Sequence, residues 1–178
     1  MKKMGLFILV IGMLGFVMTA CSQSKTEQTE INETLQEEAE ELPEEDQEIL
    51  LTLYMPNESA DGFVVQEEKV ADITAETIVE KLIEAKVLRQ ETKINDFELL
   101  EENNVRHLKL DWNAAFLEQL NSTGTAGESV LMGSVVNTFL TAFDAESITV
   151  TVEGEIPESG HCIYDEPLRF YEMGEGEL

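Results

Sequence analysis

Apolar and polar positions divide the chain into three regimes. An uncharged run from Met4 to Met18 comes first, an acid-rich stretch from Ser22 to Glu48 follows, and from Ile49 onward apolar residues return at regular spacings. The third regime predicts elements. Ile49 to Met55 is strongly apolar and stops at Pro56-Asn57, and Phe63 to Val70 resumes after Asp61-Gly62, as two strands about a turn would. Thr74 is placed to cap a helix whose apolar stripe is Ile78, Val79, Leu82 and Ile83, with Glu76, Glu80, Lys81 and Glu84 between them. Strands near Thr92 to Glu101 and Val105 to Trp112 come next, joined by a turn at Glu102-Asn103-Asn104. A second helix starting at Ser129 would bury Val130, Leu131, Val135, Phe139, Leu140 and Phe143. Ser147 to Glu153 alternates as a strand with one buried and one wet face, and an irregular strand near Ile163 to Phe170 closes the pattern.

This order predicts an α+β domain, a two-layer sandwich in which two main helices pack on one mixed or antiparallel sheet. Leu108, Leu110 and Trp112 should face the core, with His107, Lys109 and Asp111 facing solvent. Asn137 stands inside an apolar helix, where a buried amide is costly unless paired. It either bonds a neighbouring loop or marks a contact site. Exposed strand edges, at Ile49 to Met55 or Ile148 to Val152, would offer unpaired backbone groups to a partner chain.

The first regime reads as an address. Lys2 and Lys3 before the run Met4 to Met18 have the layout of a secretory signal, and the run is short of the roughly 20 residues a membrane span needs. Met18-Thr19-Ala20-Cys21 resembles the bacterial lipobox, in which small residues precede a cysteine that receives diacylglycerol before cleavage. It departs from that pattern at Met18, where Leu or Val is favoured. The same residues also fit a signal peptide cut elsewhere, or an uncleaved anchor with Cys21 as a small hydrophobe. The expected organisation is a signal peptide over 1–20, a lipidated Cys21 with an acidic flexible spacer over 21–48, a folded domain over 49–172 and a disordered tail over 173–178. Cys21 is thus the expected lipidation site, and the membrane a partner through its lipid anchor, on the extracytoplasmic face.

Charge narrows the partners. The 178 residues carry 37 acids against 11 bases, a net charge of -26. Nucleic acid is thereby excluded as a partner, since duplex binding needs a basic footprint. An anionic membrane surface repels the same charge, so a spacer with a reach of about 30 Å holds the domain near the bilayer but off it. Two cysteines exclude a disulfide-stapled scaffold.

The search for chemistry assigns no catalytic, cofactor-binding or metal residues. Gly127-Glu128-Ser129-Val130-Leu131 lacks the second glycine of a nucleophile elbow, and Ser129 reads as a helix cap. Gly124 to Ser129 lacks the lysine of a phosphate loop and reads as a plain loop, in which Glu128 would repel an anion. His161 adjoins Cys162 but His107 is distant, so no zinc spacing exists. Cys162 loses its only intrachain partner if Cys21 is lipidated, and reads as a free, partly buried thiol or, less favoured, as half of an intermolecular disulfide.

Several segments in one colinear order carry a resemblance. They are Leu53-Tyr54-Met55-Pro56-Asn57, Glu80-Lys81-Leu82-Ile83, Leu108 to Phe116, Val136 to Phe143, Ile148 to Gly154 and Asp165-Glu166-Pro167-Leu168. Together they resemble the GerMN, or sporulation and spore germination, domain. The resemblance implies an envelope-associated domain, often of a lipoprotein, that is not known as an enzyme and in some relatives looks like ring-building motifs. Implied partners are envelope or sporulation proteins, with peptidoglycan possible and no cofactor. The chain departs from the family where Lys86-Val87 stand in place of a common Gly-Pro, and in carrying one copy of the domain. The resulting expectation is a non-catalytic, lipid-anchored interaction or assembly module. The alternative is a peptidoglycan-acting enzyme or the regulatory subunit of a wall hydrolase.

Overall fold

The computed structural model describes residues 49–172. These lie within one unit of the chain, Pro43–Leu178. Cys21, the signal segment, the acidic spacer and the tail 173–178 all fall outside the described residues.

The chain opens with an antiparallel hairpin of β1 (Ile49–Pro56) and β2 (Phe63–Val70), in unbroken register from Ile49↔Val70 to Pro56↔Phe63. Asn57 closes it: its Oδ1 accepts the Asp61 N–H at 3.1 Å, its Nδ2 donates to Asp61 Oδ1 at 2.8 Å, and its own N–H reaches Gly62 O. Helix α1 (Ala75–Glu84) begins as expected, with Thr74 Oγ1 accepting the Thr77 N–H at 3.1 Å. Its stripe Ile78, Val79 and Leu82 is buried and Ile83 half-buried. Beyond the helix and its cap residue Ala85, Lys86 takes a φ of 62°, the left-handed conformation that glycine adopts without strain.

Strands β3 (Ile94–Glu102) and β4 (Val105–Trp112) form a second hairpin. Its two-residue turn sets Asn103 and Asn104 at φ 53° and 64°, the paired left-handed geometry that suits strand twist and that asparagine tolerates. Two helices, α2 (Ala114–Asn121) and α3 (Thr125–Phe143), then carry the chain back to β5 (Ser147–Val152), which pairs parallel to β4. A parallel neighbour needs such a crossover.

The fold is α+β, with three helices where the periodicity predicts two, and five strands divided between a two-stranded sheet β1-β2 and a mixed three-stranded sheet β3-β4-β5. Helix α2 is too short for its apolar spacing to stand out, although it buries Phe116 and Leu120. Helix α3 starts at Thr125, with Gly124 as its cap residue, so Ser129 lies inside the helix and caps nothing. The stretch predicted to be a plain loop is mostly the helix's first turn. The segment 163–170 makes no strand; Leu168 instead forms a single bridge to Ile148, with N–H···O bonds of 2.8 and 2.9 Å.

Helix α3 is the centre of the domain. Every residue from Val130 to Leu140 is buried, which requires neighbours all round. One side meets the β1-β2 hairpin, where Tyr54 N–H donates to Thr138 Oγ1 and the Phe63 ring lies over Gly133. Another meets the larger sheet through Phe97, Trp112, Phe139 and Phe143. Trp112 stacks on Phe116 at 4.6 Å, and Leu108, Leu110 and Trp112 point inward as expected.

Candidate functional site

Three groups of polar side chains and two strand edges are candidates. The first group lies on the outward face of β4 and β5. Parallel pairing sets His107 beside Ser147, so that His107 Nδ1 lies 2.8 Å from Ser147 Oγ and Nε2 lies 2.9 Å from Thr149 Oγ1. Partial burial, and then the charge of Lys109, hold the imidazole below its ordinary pKa. Two strand positions along, Asp111 Oδ1 accepts from Thr151 Oγ1 at 2.6 Å and Gly154 N at 2.8 Å, and Oδ2 accepts from Asn95 Nδ2 at 3.0 Å. Burial works to raise the Asp111 pKa, yet these bonds outweigh it and leave the carboxyl below its usual range. A serine beside a histidine is half of a nucleophilic pair, but the other ring nitrogen meets a threonine hydroxyl where a carboxylate would orient a general base.

The second group is centred on Glu128, in the first turn of α3 and only 2% exposed. Its Oε1 accepts from Tyr164 OH at 2.6 Å and from Ser159 Oγ, while Oε2 has no partner. Burial first, then the Glu128 bond and charge, push the Tyr164 phenol far above its usual pKa. Tyr171 is pushed up to about 12, chiefly by burial. Ser159 Oγ also takes the N–H groups of His161 and Cys162, at 3.1 and 2.9 Å, and Gly160 N–H reaches Asn121 Oδ1. The loop 158–164 is thus pinned over the start of α3. Cys162 joins through its backbone N–H, its thiol lies 3.7 Å from Ile163 O, and the residue is an exposed free cysteine rather than a partly buried one. The sequence marks Glu128 only as a charge that would repel an anion, because its partners stand 31 and 36 positions away, beyond any local signal.

The third is Asn137, fully buried. Its Nδ2 donates to Tyr171 O at 3.1 Å and its Oδ1 accepts the Tyr171 N–H at 2.7 Å, so the amide stands in for a strand neighbour to the C-terminal segment. Of the two expectations for Asn137, bonding to a neighbouring segment is the one the geometry favours. A cleft of about 330 Å³ also lies between α1 and the start of β3, lined by Glu76, Val79, Glu80, Ile83, Thr92 and Ile94 among others. That is near the lower limit for small-molecule sites.

The edges expected to be open are covered. β1 lies against α3, with the Tyr54 N–H already donated, and β5 is bridged by Leu168 and by Glu155. Among the described strands β1, β2, β3 and β5 are the outer ones of their sheets. Among the described residues no group of three His, Cys, Asp or Glu side chains could hold a metal, and no helix is long and apolar enough to cross a membrane.

The Germane family, described as sporulation and spore germination, matches residues 52–158. No curated protein matches. Among solved structures, the first GerMN domain of the sporulation protein GerM from Bacillus subtilis is similar over 68% of this chain and 97% of its own, at 14% identity and a TM-score of 0.48. The tandem GerMN domains of the same protein are similar over 70% of this chain, which spans 46% of theirs, at 17% identity and a TM-score of 0.47. A candidate lipoprotein from Clostridium perfringens is similar over 68% of this chain and 87% of its own, at 14% identity and a TM-score of 0.41. With a family match that runs over more than half of its length, from the first hairpin to the loop after β5, the chain belongs to the Germane family of sporulation and spore germination domains.

Proposed function

We propose that this chain is a non-catalytic interaction module, tethered by lipid at Cys21 to the outer face of the cytoplasmic membrane and working in sporulation, germination or another cell-envelope process. The observation that carries this reading is the family match over residues 52–158. The tether rests on Lys2, Lys3, the uncharged run that follows and Met18-Thr19-Ala20-Cys21. Two acyl chains hold a protein stably where one gives only marginal binding. The acid-rich stretch Ser22 to Glu48 then keeps the domain near the bilayer and off an anionic surface.

A non-catalytic role draws support from how the polar groups are engaged. Both ring nitrogens of His107 are occupied by hydroxyls, and Glu128 is committed to a tyrosine and a serine that fix a loop. The expected partners are envelope or sporulation proteins, with peptidoglycan as a further ligand. Labelled fatty acid supplied to cells should enter the wild type and not Cys21→Ser; equal labelling of the two would sink the tether. Purified protein incubated with wall material should release no soluble fragments. Release that disappears in His107→Ala would overturn the non-catalytic reading.

A further inference from the structure

The cleft between α1 and the start of β3 has two walls of different character. One is a helical stripe of Glu76, Val79, Glu80 and Ile83, whose spacing puts apolar and acidic side chains alternately along one face. The other is the segment Thr92, Lys93 and Ile94. Val79, Ile83 and Ile94 supply an apolar lining, with two carboxylates on the helix wall and one ammonium on the strand wall. Among the described residues none of these three charges is in an ion pair, and the nearby Lys81 is spent on Glu84.

The strand wall is held in place. Asn113 Nδ2 donates to Glu91 O at 2.8 Å, its Oδ1 accepts the Lys93 N–H at 3.0 Å, and its own N–H donates to Lys93 O at 3.0 Å. Asn113 precedes α2 yet its side chain makes no cap bond there, the amide being spent on this segment. Thr92 N–H donates to Arg89 O, and Thr92, only 1% exposed, leaves its Oγ1 without a partner among the described residues. A fixed wall spares a ligand the cost of ordering it. A ligand polar group that reaches the Thr92 hydroxyl makes a bond that no described protein atom makes.

We propose that this cleft binds a short aliphatic peptide by its two free ends, the N-terminal ammonium at Glu76 and Glu80 and the C-terminal carboxylate at Lys93, with the side chains against Val79, Ile83 and Ile94. Charge complementarity selects that class. A simple cation would meet Lys93 and a simple anion would meet two carboxylates, whereas a zwitterion finds an opposite charge on each wall. A free amino acid carries both charges on one carbon, while two or three residues, at about 3.5 Å each, spread them toward opposite walls. A volume of about 330 Å³ lies at the small end of ligand sites, which suits a peptide of that length. The site goes beyond the interaction-module reading and depends on neither the tether nor a partner protein.

The test uses the full chain in nanodiscs of zwitterionic lipid, with isoleucine and valine methyls labelled for NMR, titrated with the dipeptide valyl-leucine. Saturable shifts are expected at the Val79, Ile83 and Ile94 methyls and at no methyl of the β1-β2 hairpin. N-acetylation and C-amidation of the dipeptide should each weaken binding about threefold, and both together about tenfold, the scale of exposed ion pairs. Glu76→Gln combined with Glu80→Gln should abolish the effect of N-acetylation and keep that of amidation, and Lys93→Gln should do the reverse. All three side chains belong to exposed residues, so the melting temperature should hold in these variants. If a variant does not fold, the blocked dipeptides decide alone.

The proposal is overturned by shifts that rise without saturating, by equal binding of the doubly blocked dipeptide, or by variants that weaken free and blocked dipeptides alike. The assay needs neither acylation nor sporulating cells. Its failure leaves the tether standing, and unlabelled Cys21 leaves the peptide cleft standing.

Discussion

At the scale of single residues, Glu128 does more for the architecture than any carboxylate on the surface. One oxygen of a 2%-exposed carboxylate collects Tyr164 and Ser159 while the other has no partner, so the group already carries one unmet hydrogen-bonding site. Tyr164→Phe would leave it poorer still, and should cost about 2 kcal/mol in a denaturant titration, the usual penalty for stranding a buried polar group. The alkaline limb carries a second signature. The folded pKa of Tyr164 lies above its ordinary value of 10, and that of Tyr171 at about 12, so the unfolded chain ionises first. The stability these groups contribute is whole below pH 10 and falls as pH rises above 10, with the share of Tyr171 lost by about pH 12 and that of Tyr164 still falling there. Tyr164→Phe should show a shallower fall over that window than the wild type, and an equally steep fall would contradict the assignment. Of these residues, only Asn137 was conspicuous in the sequence, because an amide in an apolar helix is an anomaly visible locally. Glu128 sat among glycines and a serine, and nothing in the sequence marked Tyr164 as its partner.

At the scale of elements, the seam between the first hairpin and α3 is set by a missing side chain. A Cβ on Gly133 would stand 2.5 Å from Cζ of Phe63, closer than atoms can pack, and 3.2 Å from Cβ of Tyr171, a tight contact. Gly133→Ala must therefore shift the Phe63 ring or the helix, at an expected cost of about 1–3 kcal/mol. Phe63→Leu in the same chain removes the obstructing edge and should recover part of that loss, which a double-mutant cycle measures as a coupling of at least about 0.5 kcal/mol. Strict additivity of the two changes would mean that they do not touch. The seam is illegible in sequence, since it joins residues 70 positions apart through a gap. Legible elements were those with a clean period: the 3.6-residue stripe of α1, the alternation of β5 and the asparagine turn between β3 and β4. Periodicity could not assign five strands to two sheets, because pairing across them is decided by where α3 lies.

At the scale of the whole molecule, charge is the term that conditions can move. The chain carries -26, whereas ion pairs among the described residues, such as Lys81 with Glu84, Arg106 with Glu101 and Lys109 with Glu98, are exposed. Such pairs contribute at most about 1 kcal/mol each, and salt weakens them. Like-charge repulsion across an acidic surface opposes the compact state, and salt weakens that too. The two effects of sodium chloride have opposite signs. With 37 acids and only 11 bases, most carboxylates have no cation to pair with, so relief of repulsion should win. The melting temperature is expected to rise by several degrees between about 10 mM and 500 mM sodium chloride at neutral pH, as the screening length shrinks from about 30 Å to a few ångströms. A melting temperature that falls over this range would mean that ion pairs outweigh the surplus of acids.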